Sequence, residues 1–165
     1  MGRPSSIAQM RVQELIATIG EQGLTAGAGA AGAVTLALAA ACAAKAASIS
    51  LRHQPANERL PRLLDLLERI GRFALAGADR DAQAFATFLR ENTLGAVVDL
   101  LHEGDRLLRL NDIVADTLEK LAPEIIPSMA GDVVAAQALL AAARRIQETN
   151  SAAAQAQKAQ LKPSS

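Results

Sequence analysis

The sequence predicts an all-α protein, an antiparallel bundle of about five helices around a central, buried helix rich in alanine and glycine. Three observations predict this fold. Apolar residues recur at three- and four-residue spacing through most of the chain, which is the period of an amphipathic helix. Residues 26–44 carry no charge and are mostly alanine and glycine, as expected of a helix closely surrounded by others. No stretch alternates apolar and polar residues in the manner of a half-buried strand.

Composition excludes several classes of protein. Half of the 165 residues are hydrophobic, enough for the core of one domain, and the formal net charge is zero. A nucleic-acid surface needs a basic face and usually stacking aromatics, but only 2% of the residues are aromatic. Cys42, the single cysteine, is expected to be a small buried thiol, and His53 and His102 are too few to indicate a metal site. No targeting segment is recognisable, so a cytoplasmic location is expected.

The run from Thr25 to Ala47 needs separate treatment, because an uncharged stretch of about 20 residues is long enough to span a bilayer. Its apolarity comes mainly from alanine and glycine, which drive insertion weakly. The sequence contains no Trp or Tyr that would form an interfacial belt. We therefore predict no membrane span here, but the central helix of the bundle.

Each helix has a recognisable beginning. Residues 1–6 are expected to be disordered, and the helical domain covers residues 7–150. Asn57 is expected to cap helix 3 and Ser128 to cap helix 5, since both residue types favour that position. Residues 151–165 are expected to form a frayed or disordered tail. The five predicted helices run from Ile7 to about Gln22, from Thr25 to about Leu51, from about Glu58 to Arg90, from about Leu94 to Leu121, and from Ser128 to at least Thr149.

Two carboxylates fall where the helical pattern calls for apolar residues. Asp81 lies between Ala74 and Phe88 at heptad spacing on the buried stripe of helix 3. Its neighbours Asp79 and Arg80 point away from this stripe and are expected to be solvated. A buried acid is costly unless it is paired or opens to a cavity, so Asp81 either caps a neighbouring helix or faces a ligand pocket. Asp132 begins the stripe of helix 5, where it either serves the helix dipole or contributes to a site.

The stripe of helix 5 ends at Asn150, which is either an exposed residue near the C-terminus or part of a site. Asp132 and Asn150 lie about 27 Å apart along the helix, so within one protomer they cannot touch the same small ligand. The turn from Thr25 through Gly27 to Gly29 leaves backbone N–H groups free at the positive end of helix 2. Such a turn can hold a carboxylate or a phosphate.

In this order, these features resemble the formiminotetrahydrofolate cyclodeaminase / methenyltetrahydrofolate cyclohydrolase family. The family has a Gly-rich turn before an Ala-rich helix, which resembles Thr25-Ala-Gly-Ala-Gly29 here. Its Asp-x-x-Ala-Phe pattern resembles residues 81–85, and its late Ser-Asp motif with a following Asn resembles Gly131-Asp132 with Asn150. The resemblance extends over about residues 8–150.

The resemblance implies an all-helical protein that acts on a one-carbon-substituted tetrahydrofolate or a related pterin. Members open the methenyl bridge with water, or close it with loss of ammonia from the formimino group. It implies catalytic roles for Asp81 and Asp132, and no metal or cofactor beyond the folate itself. It implies a homodimer with no nucleic-acid or membrane partner. The substrate-binding residues that it implies are Thr25, Gly27, Gly29 and Asn150.

A second interpretation keeps the fold without the reaction. Ala26 and Ala28 stand where the family has a Pro and its middle Gly, and Gly131 replaces the Ser of the Ser-Asp motif. These differences favour a non-catalytic helical binding or assembly subunit as the alternative to an enzyme.

Overall fold

The computed structural model describes residues 6–21 and 26–161, and within them the chain forms helices and turns but no strand. The α-helices are α1 (Val12–Gly20), α2 (Ala28–His53), α3 (Arg59–Glu91), α4 (Leu94–Leu121) and α5 (Ala130–Leu161). Short 3-10 turns cover Ile7–Gln9, Ala122–Glu124 and Pro127–Met129. This architecture confirms the predicted all-α bundle.

Helix α2 is the centre of the molecule, packed against α3 on one side and α5 on the other, while α4 closes the bundle between those two. Its alanines make this possible, because short side chains let neighbouring helices approach closely. Ala30, Ala33 and Ala40 each have 0% of their surface exposed. Among the described helices, α2 alone is long and apolar enough to cross a membrane by length and composition, but 44% of that apolar window is buried. The predicted central buried helix is confirmed.

The helix ends are fixed by local hydrogen bonds. Asn57 Oδ1 accepts from the backbone N–H groups of Arg59, at 2.9 Å, and Leu60, at 3.2 Å. Its predicted capping role is therefore confirmed. Helix α3 ends at Asn92, which adopts the left-handed conformation that Asn tolerates after a helix. Thr93 then caps α4 by accepting from the N–H of Ala96.

The first predicted helix differs from the structure. It begins as a 3-10 turn, breaks at Met10 and Arg11, and resumes as the shorter α1. The 3-10 turn is held against α3, because the carboxylate of Asp79 accepts from Ser6 Oγ and from the backbone N–H of Ile7. Ile7 is buried at this contact. Ser6, expected to be disordered, and Asp79, expected to be solvated, are therefore both engaged; residues 1–5 lie outside the described part of the chain.

Helix α5 is longer than predicted. It continues unbroken to Leu161, where a frayed or disordered tail was expected from residue 151. Part of the extension faces the other helices, and the hydroxyl oxygen of Ser151 is buried there. The remaining tail, residues 162–165, lies outside the described part of the chain. The extension matters for function, because this end of α5 forms one wall of the cavity described next.

Candidate ligand-binding cavity

A cavity of about 340 Å³ lies at the end of the bundle where α2 begins. Helices α3, α4 and α5 form its other walls. This volume falls at the lower end of the range typical of small-molecule sites, which are mostly apolar with a few polar groups. The cavity has that composition, with two phenylalanines and several small residues around a carboxylate and amide groups. Its lining includes Gly27, Ala28, Gly29, Asp81, Phe85, Phe88, Leu100, Gly104, Gln147, Asn150 and Ser151.

Asp81 is the carboxylate of this cavity, and it also serves as a cap for α2. Its side chain packs against Gly29, and the backbone N–H of Ala30 donates a hydrogen bond to it. A Cβ atom at position 29 would fall on the carboxyl group, so glycine is needed there for the close approach. Helix capping and a pocket-facing carboxylate were alternative interpretations of Asp81, and the structure combines them.

The environment of Asp81 stabilises the protonated form of its carboxyl group, compared with an Asp in water. Burial raises the pKa of Asp81 to about 6, and the negative charge of Glu103 adds to the rise, while the Ala30 N–H opposes it. An ordinary Asp has a pKa near 3.8. A carboxyl group with a pKa of about 6 exchanges protons readily near neutral pH, which is what general acid or base catalysis requires.

Glu103 is a second acid close to the cavity, held inside the fold by two arginines. Its side chain is 5% exposed and lies between Arg80 of α3 and Arg106 of its own helix. Arg80 Nε lies 3.0 and 3.1 Å from the two carboxylate oxygens, and Arg106 contributes a contact of 3.2 Å. Arg80 was expected to be solvated; instead it crosses from α3 to α4 and is only 42% exposed.

The wall formed by α5 carries amide and hydroxyl groups. Gln147 is 2% exposed, and its Nε2 donates to the backbone carbonyl of Gly29 at 3.0 Å. The other amide atom, Oε1, and the hydroxyl of Ser151 are buried without a hydrogen-bond partner among the described residues. Glycines on the facing helices leave room for both side chains. A Cβ at Gly32 would lie 2.7 Å from Gln147 Nε2, and one at Gly104 would lie 2.8 Å from Ser151 Oγ.

The structure therefore brings together four of the sequence-predicted site residues, Gly27, Gly29, Asp81 and Asn150. Thr25 lies outside the described residues. The turn before α2 was predicted to hold an anion of the ligand, but Asp81 already faces the Ala30 N–H at this helix end. The binding roles of these residues stay predictions.

Asp132 does not line this cavity. It lies in the first turn of α5, where its carboxylate pairs with Lys45 Nζ at 2.7 Å. The first cavity residue of α5 is Gln147, about 22 Å further along the helix axis. Asp81 and Asp132 thus do not form a catalytic pair within one protomer, and the catalytic role of each stays a prediction.

Sequence reasoning missed Gln147, Ser151 and Glu103. Gln147 had a detectable signal, because it continues the spacing of the buried residues Ala136, Leu140 and Ala143. It is thus a polar residue on an apolar stripe, the same signal that identified Asp81. Glu103 carried no such signal, since only the folded structure shows its arginine from another helix.

No group of three or more His, Cys, Asp or Glu side chains with the geometry of a metal site occurs in residues 6–21 and 26–161. The polar side chains that line the cavity are those of Asp81 on α3 and of Gln147, Asn150, Ser151 and Gln157 on α5.

Comparison with known proteins gives two results. The family model described as Formiminotransferase-cyclodeaminase matches residues 11–96. The fold is similar to the crystal structure of formiminotetrahydrofolate cyclodeaminase from Thermotoga maritima, with a TM-score of 0.85 at 21% sequence identity. That similarity covers 90% of this chain and 79% of the other. No curated protein matches the sequence.

Proposed function

The chain belongs to the formiminotransferase-cyclodeaminase family, and from that premise we propose that it binds a one-carbon-substituted tetrahydrofolate, or a related pterin, beside Asp81 and acts on the one-carbon group. The similar Thermotoga maritima protein is named for an activity on formiminotetrahydrofolate. The family and the fold support a folate-related role, and the cavity supports the more specific proposal. We expect no cofactor other than the folate itself.

The observation that carries this proposal is an acid with a raised pKa in a cavity lined by aromatic side chains. Phe85 and Phe88 follow Asp81 at four- and seven-residue spacing, so all three lie on one face of α3. Aromatic side chains offer flat apolar surface against which a ring system packs favourably. Asp81 then lies in the same cavity as the one-carbon group attached to the bound ring system.

In the hydrolytic reaction, Asp81 moves one proton twice. As a carboxylate it accepts a proton from the water that attacks the methenyl carbon. As an acid it returns that proton to the ring nitrogen when the carbon–nitrogen bond breaks, which regenerates the carboxylate. The hydroxyl proton of the intermediate passes to solvent as the carbonyl of the formyl product forms. A pKa of about 6 suits both steps, because roughly a tenth of the groups are protonated at pH 7.

In the deaminating direction the same acid protonates the departing nitrogen. The folate's own second nitrogen attacks the carbon of the protonated formimino group and gives its N–H proton to the Asp81 carboxylate. Asp81 passes that proton to the amino nitrogen, the bond from the carbon to that nitrogen breaks, and ammonia leaves. The methenyl bridge is then closed. Hydrolysis and deamination therefore need the same positioned carboxyl group and differ in the nucleophile.

The alternative is a subunit that binds a folate without turning it over. It is favoured by the position of Asp132, because Asp81 is the one acidic side chain that lines the cavity in the described residues. A second carboxylate would have to come from another copy of the chain. The homodimer, the cytoplasmic location and the catalytic role of Asp132 are likewise proposals.

The test is a cyclohydrolase assay that follows the absorbance of 5,10-methenyltetrahydrofolate, together with thermal unfolding in the presence of 5-formyltetrahydrofolate. Ligand at 100 times Kd should add about 2.7 kcal/mol to the free energy of unfolding. Asp81→Asn should lower turnover by at least about 100-fold. Asp116→Asn, an exposed residue of α4, is the matched control and should not.

The outcomes separate the two interpretations. Binding with turnover that depends on Asp81 supports an enzyme. Binding without turnover supports the alternative subunit, and no binding of either folate contradicts both.

The place of Asp132 is tested by mixing two inactive variants, Asp81→Asn and Asp132→Ala. If Asp132 serves the cavity of a second protomer, mixed dimers contain one intact site, and about a quarter of the activity returns. Unchanged activity in Asp132→Ala alone would remove it from the catalytic residues.

A further inference from the structure

Two buried polar atoms on α5 have no partner in the described part of the protein, and both belong to residues that line the cavity. They are Gln147 Oε1 and Ser151 Oγ. Gln147 and Ser151 are one helical turn apart, so their side chains lie on the same face. Buried polar groups in folded proteins are nearly always hydrogen-bonded, and two exceptions side by side at a cavity indicate partners that arrive from outside the chain.

The chemistry of these two atoms is fixed by the contacts of their neighbours. The Gly29 carbonyl can only accept a hydrogen bond, so the Gln147 atom that faces it at 3.0 Å must be the NH₂ group. Oε1 then faces away from Gly29 and can only accept. The Ser151 hydroxyl can donate or accept. Together they match a ligand edge on which an N–H lies beside a carbonyl oxygen.

We propose that Gln147 and Ser151 recognise the cyclic-amide edge of a 4-oxopteridine, with the ligand N–H donating to Gln147 Oε1 and its carbonyl accepting from Ser151 Oγ. This inference rests on the proposed function, since it uses the same cavity and the same class of ligand. It assigns the orientation of the ring, because the amide edge faces α5 while Asp81 approaches from α3. It also explains why Gly32 and Gly104 face these two side chains, since a methyl group at either position would displace one of them.

The test compares two ligands that differ at this edge. Folic acid carries the 4-oxo group and a ring N–H, whereas its 4-amino analogue aminopterin has a bare ring nitrogen at that position. The wild-type chain should bind folic acid about 10-fold or more tightly than aminopterin, because the nitrogen lone pair of the analogue would face Gln147 Oε1. Binding is measured by isothermal titration calorimetry.

Three variants locate the effect. Ser151→Ala removes one hydroxyl and should weaken folic acid binding by about 10-fold, without loss of thermal stability. Gln147→Met keeps the length of the side chain and removes its amide, so the preference for folic acid over aminopterin should disappear. Ser128→Ala, in the exposed turn before α5, is the matched control and should bind like the wild type.

The results distinguish this inference from the proposed function. If the wild type binds folic acid and both cavity variants keep its affinity and its preference, the recognition pair is wrong and folate binding stands. If Gln147→Met is unstable, Ser151→Ala alone decides the question. If the wild type binds neither folic acid nor 5-formyltetrahydrofolate, the proposed function and this inference fail together.

Discussion

The carboxyl group of Asp81 lies against Gly29 so closely that even a methyl side chain at position 29 would occupy the same space. This contact joins the first turn of α2 to the C-terminal half of α3. It gives the Ala30 N–H an acceptor and, at the same time, holds the carboxyl group at the cavity wall. Structural and chemical roles therefore coincide in one pair of residues.

Gly29→Ala should displace Asp81 and impair both roles. We expect a loss of about 1–3 kcal/mol in the free energy of unfolding, since the added methyl group overfills a tight contact. We also expect a fall in turnover or in folate affinity of at least about 10-fold. Chemical denaturation and the methenyltetrahydrofolate assay measure the two effects.

The matched control for this substitution is Gly131→Ala. Gly131 lies in the first turn of α5 with nothing near its missing Cβ. Alanine there should be neutral or stabilise the helix by up to about 1 kcal/mol. If Gly29→Ala behaves like Gly131→Ala, the contact with Asp81 does not have the importance that we assign to it.

The raised pKa of Asp81 makes the stability of the protein dependent on pH. In the unfolded chain Asp81 has a pKa near 3.8, and in the fold its pKa is about 6. Between these values the folded state binds more protons, so stability falls as pH rises from about 4 to about 6 and the loss persists above that.

Asp81→Asn removes this dependence. We expect the variant to be more stable than the wild type at pH 8, by roughly 2 kcal/mol, and to lose that advantage at pH 4. Urea denaturation from pH 4 to pH 8 tests this, with Asp116→Asn correcting for the remaining carboxylates. A constant difference between Asp81→Asn and the wild type over this range would mean that Asp81 titrates as an ordinary acid.

Glu103 contributes to this pKa through its charge, so Glu103→Gln should move the pH profile of turnover. The substitution removes a negative charge that raises the pKa of Asp81. It also leaves the positive charges of Arg80 and Arg106 unopposed, which favours the ionised carboxylate further. The acidic limb of the pH–rate profile should therefore shift to lower pH.

A structural role alone would not cause that shift. Glu103→Gln should also cost about 1–3 kcal/mol of stability, because a nearly buried ion pair is broken. Glu119→Gln, an exposed acid on the same helix, should change neither quantity. A loss of stability with an unmoved acidic limb would restrict Glu103 to the scaffold.

The fold and part of the site could be predicted because the helical periodicity of the sequence indicates both. The period locates α3 and α4 within a residue or so, and it marks Asp81 because an acid on an apolar stripe stands out. On α5 the same reasoning found Asn150, which lines the cavity, but missed Gln147. There alanines occur on both sides of the helix, so little contrast distinguishes the buried face, and the stripe was drawn through Asp132 and Asn150. The buried stripe ends in Gln147 instead.

Contacts between helices could not be predicted from periodicity. The pairing of Arg80 with Glu103, and of Asp79 with the chain at Ser6 and Ile7, depends on how α3 is rotated against its neighbours. The sequence pattern describes each helix by itself and contains no such angle. For this reason both α3 residues were expected to be solvated.

Asn57 provides a prediction at the opposite end of the bundle, because Asp81 lies about 33 Å along α3 from its first residue, Arg59. Its side chain caps α3 and also donates to Glu124 Oε2 at 2.8 Å. Asn57→Ala should lower the free energy of unfolding by about 1–2 kcal/mol, since two backbone N–H groups lose their acceptor. Folate affinity should stay unchanged, because the cavity lies at the other end.

The stability lost in Asn57→Ala has two contributions, the capping bonds of α3 and the hydrogen bond to Glu124. Its pH dependence distinguishes them. The hydrogen bond from Asn57, and then that from Arg59, lowers the pKa of Glu124. A lowered pKa contributes stability above the unfolded value, and that contribution is lost as pH falls through the folded value. The difference in the free energy of unfolding between the wild type and Asn57→Ala should therefore become smaller as the pH is lowered. It should not reach zero, since the capping bonds to Arg59 and Leu60 do not depend on Glu124. If the wild type and Asn57→Ala were equally stable at low pH, the capping bonds would contribute nothing to the free energy of unfolding.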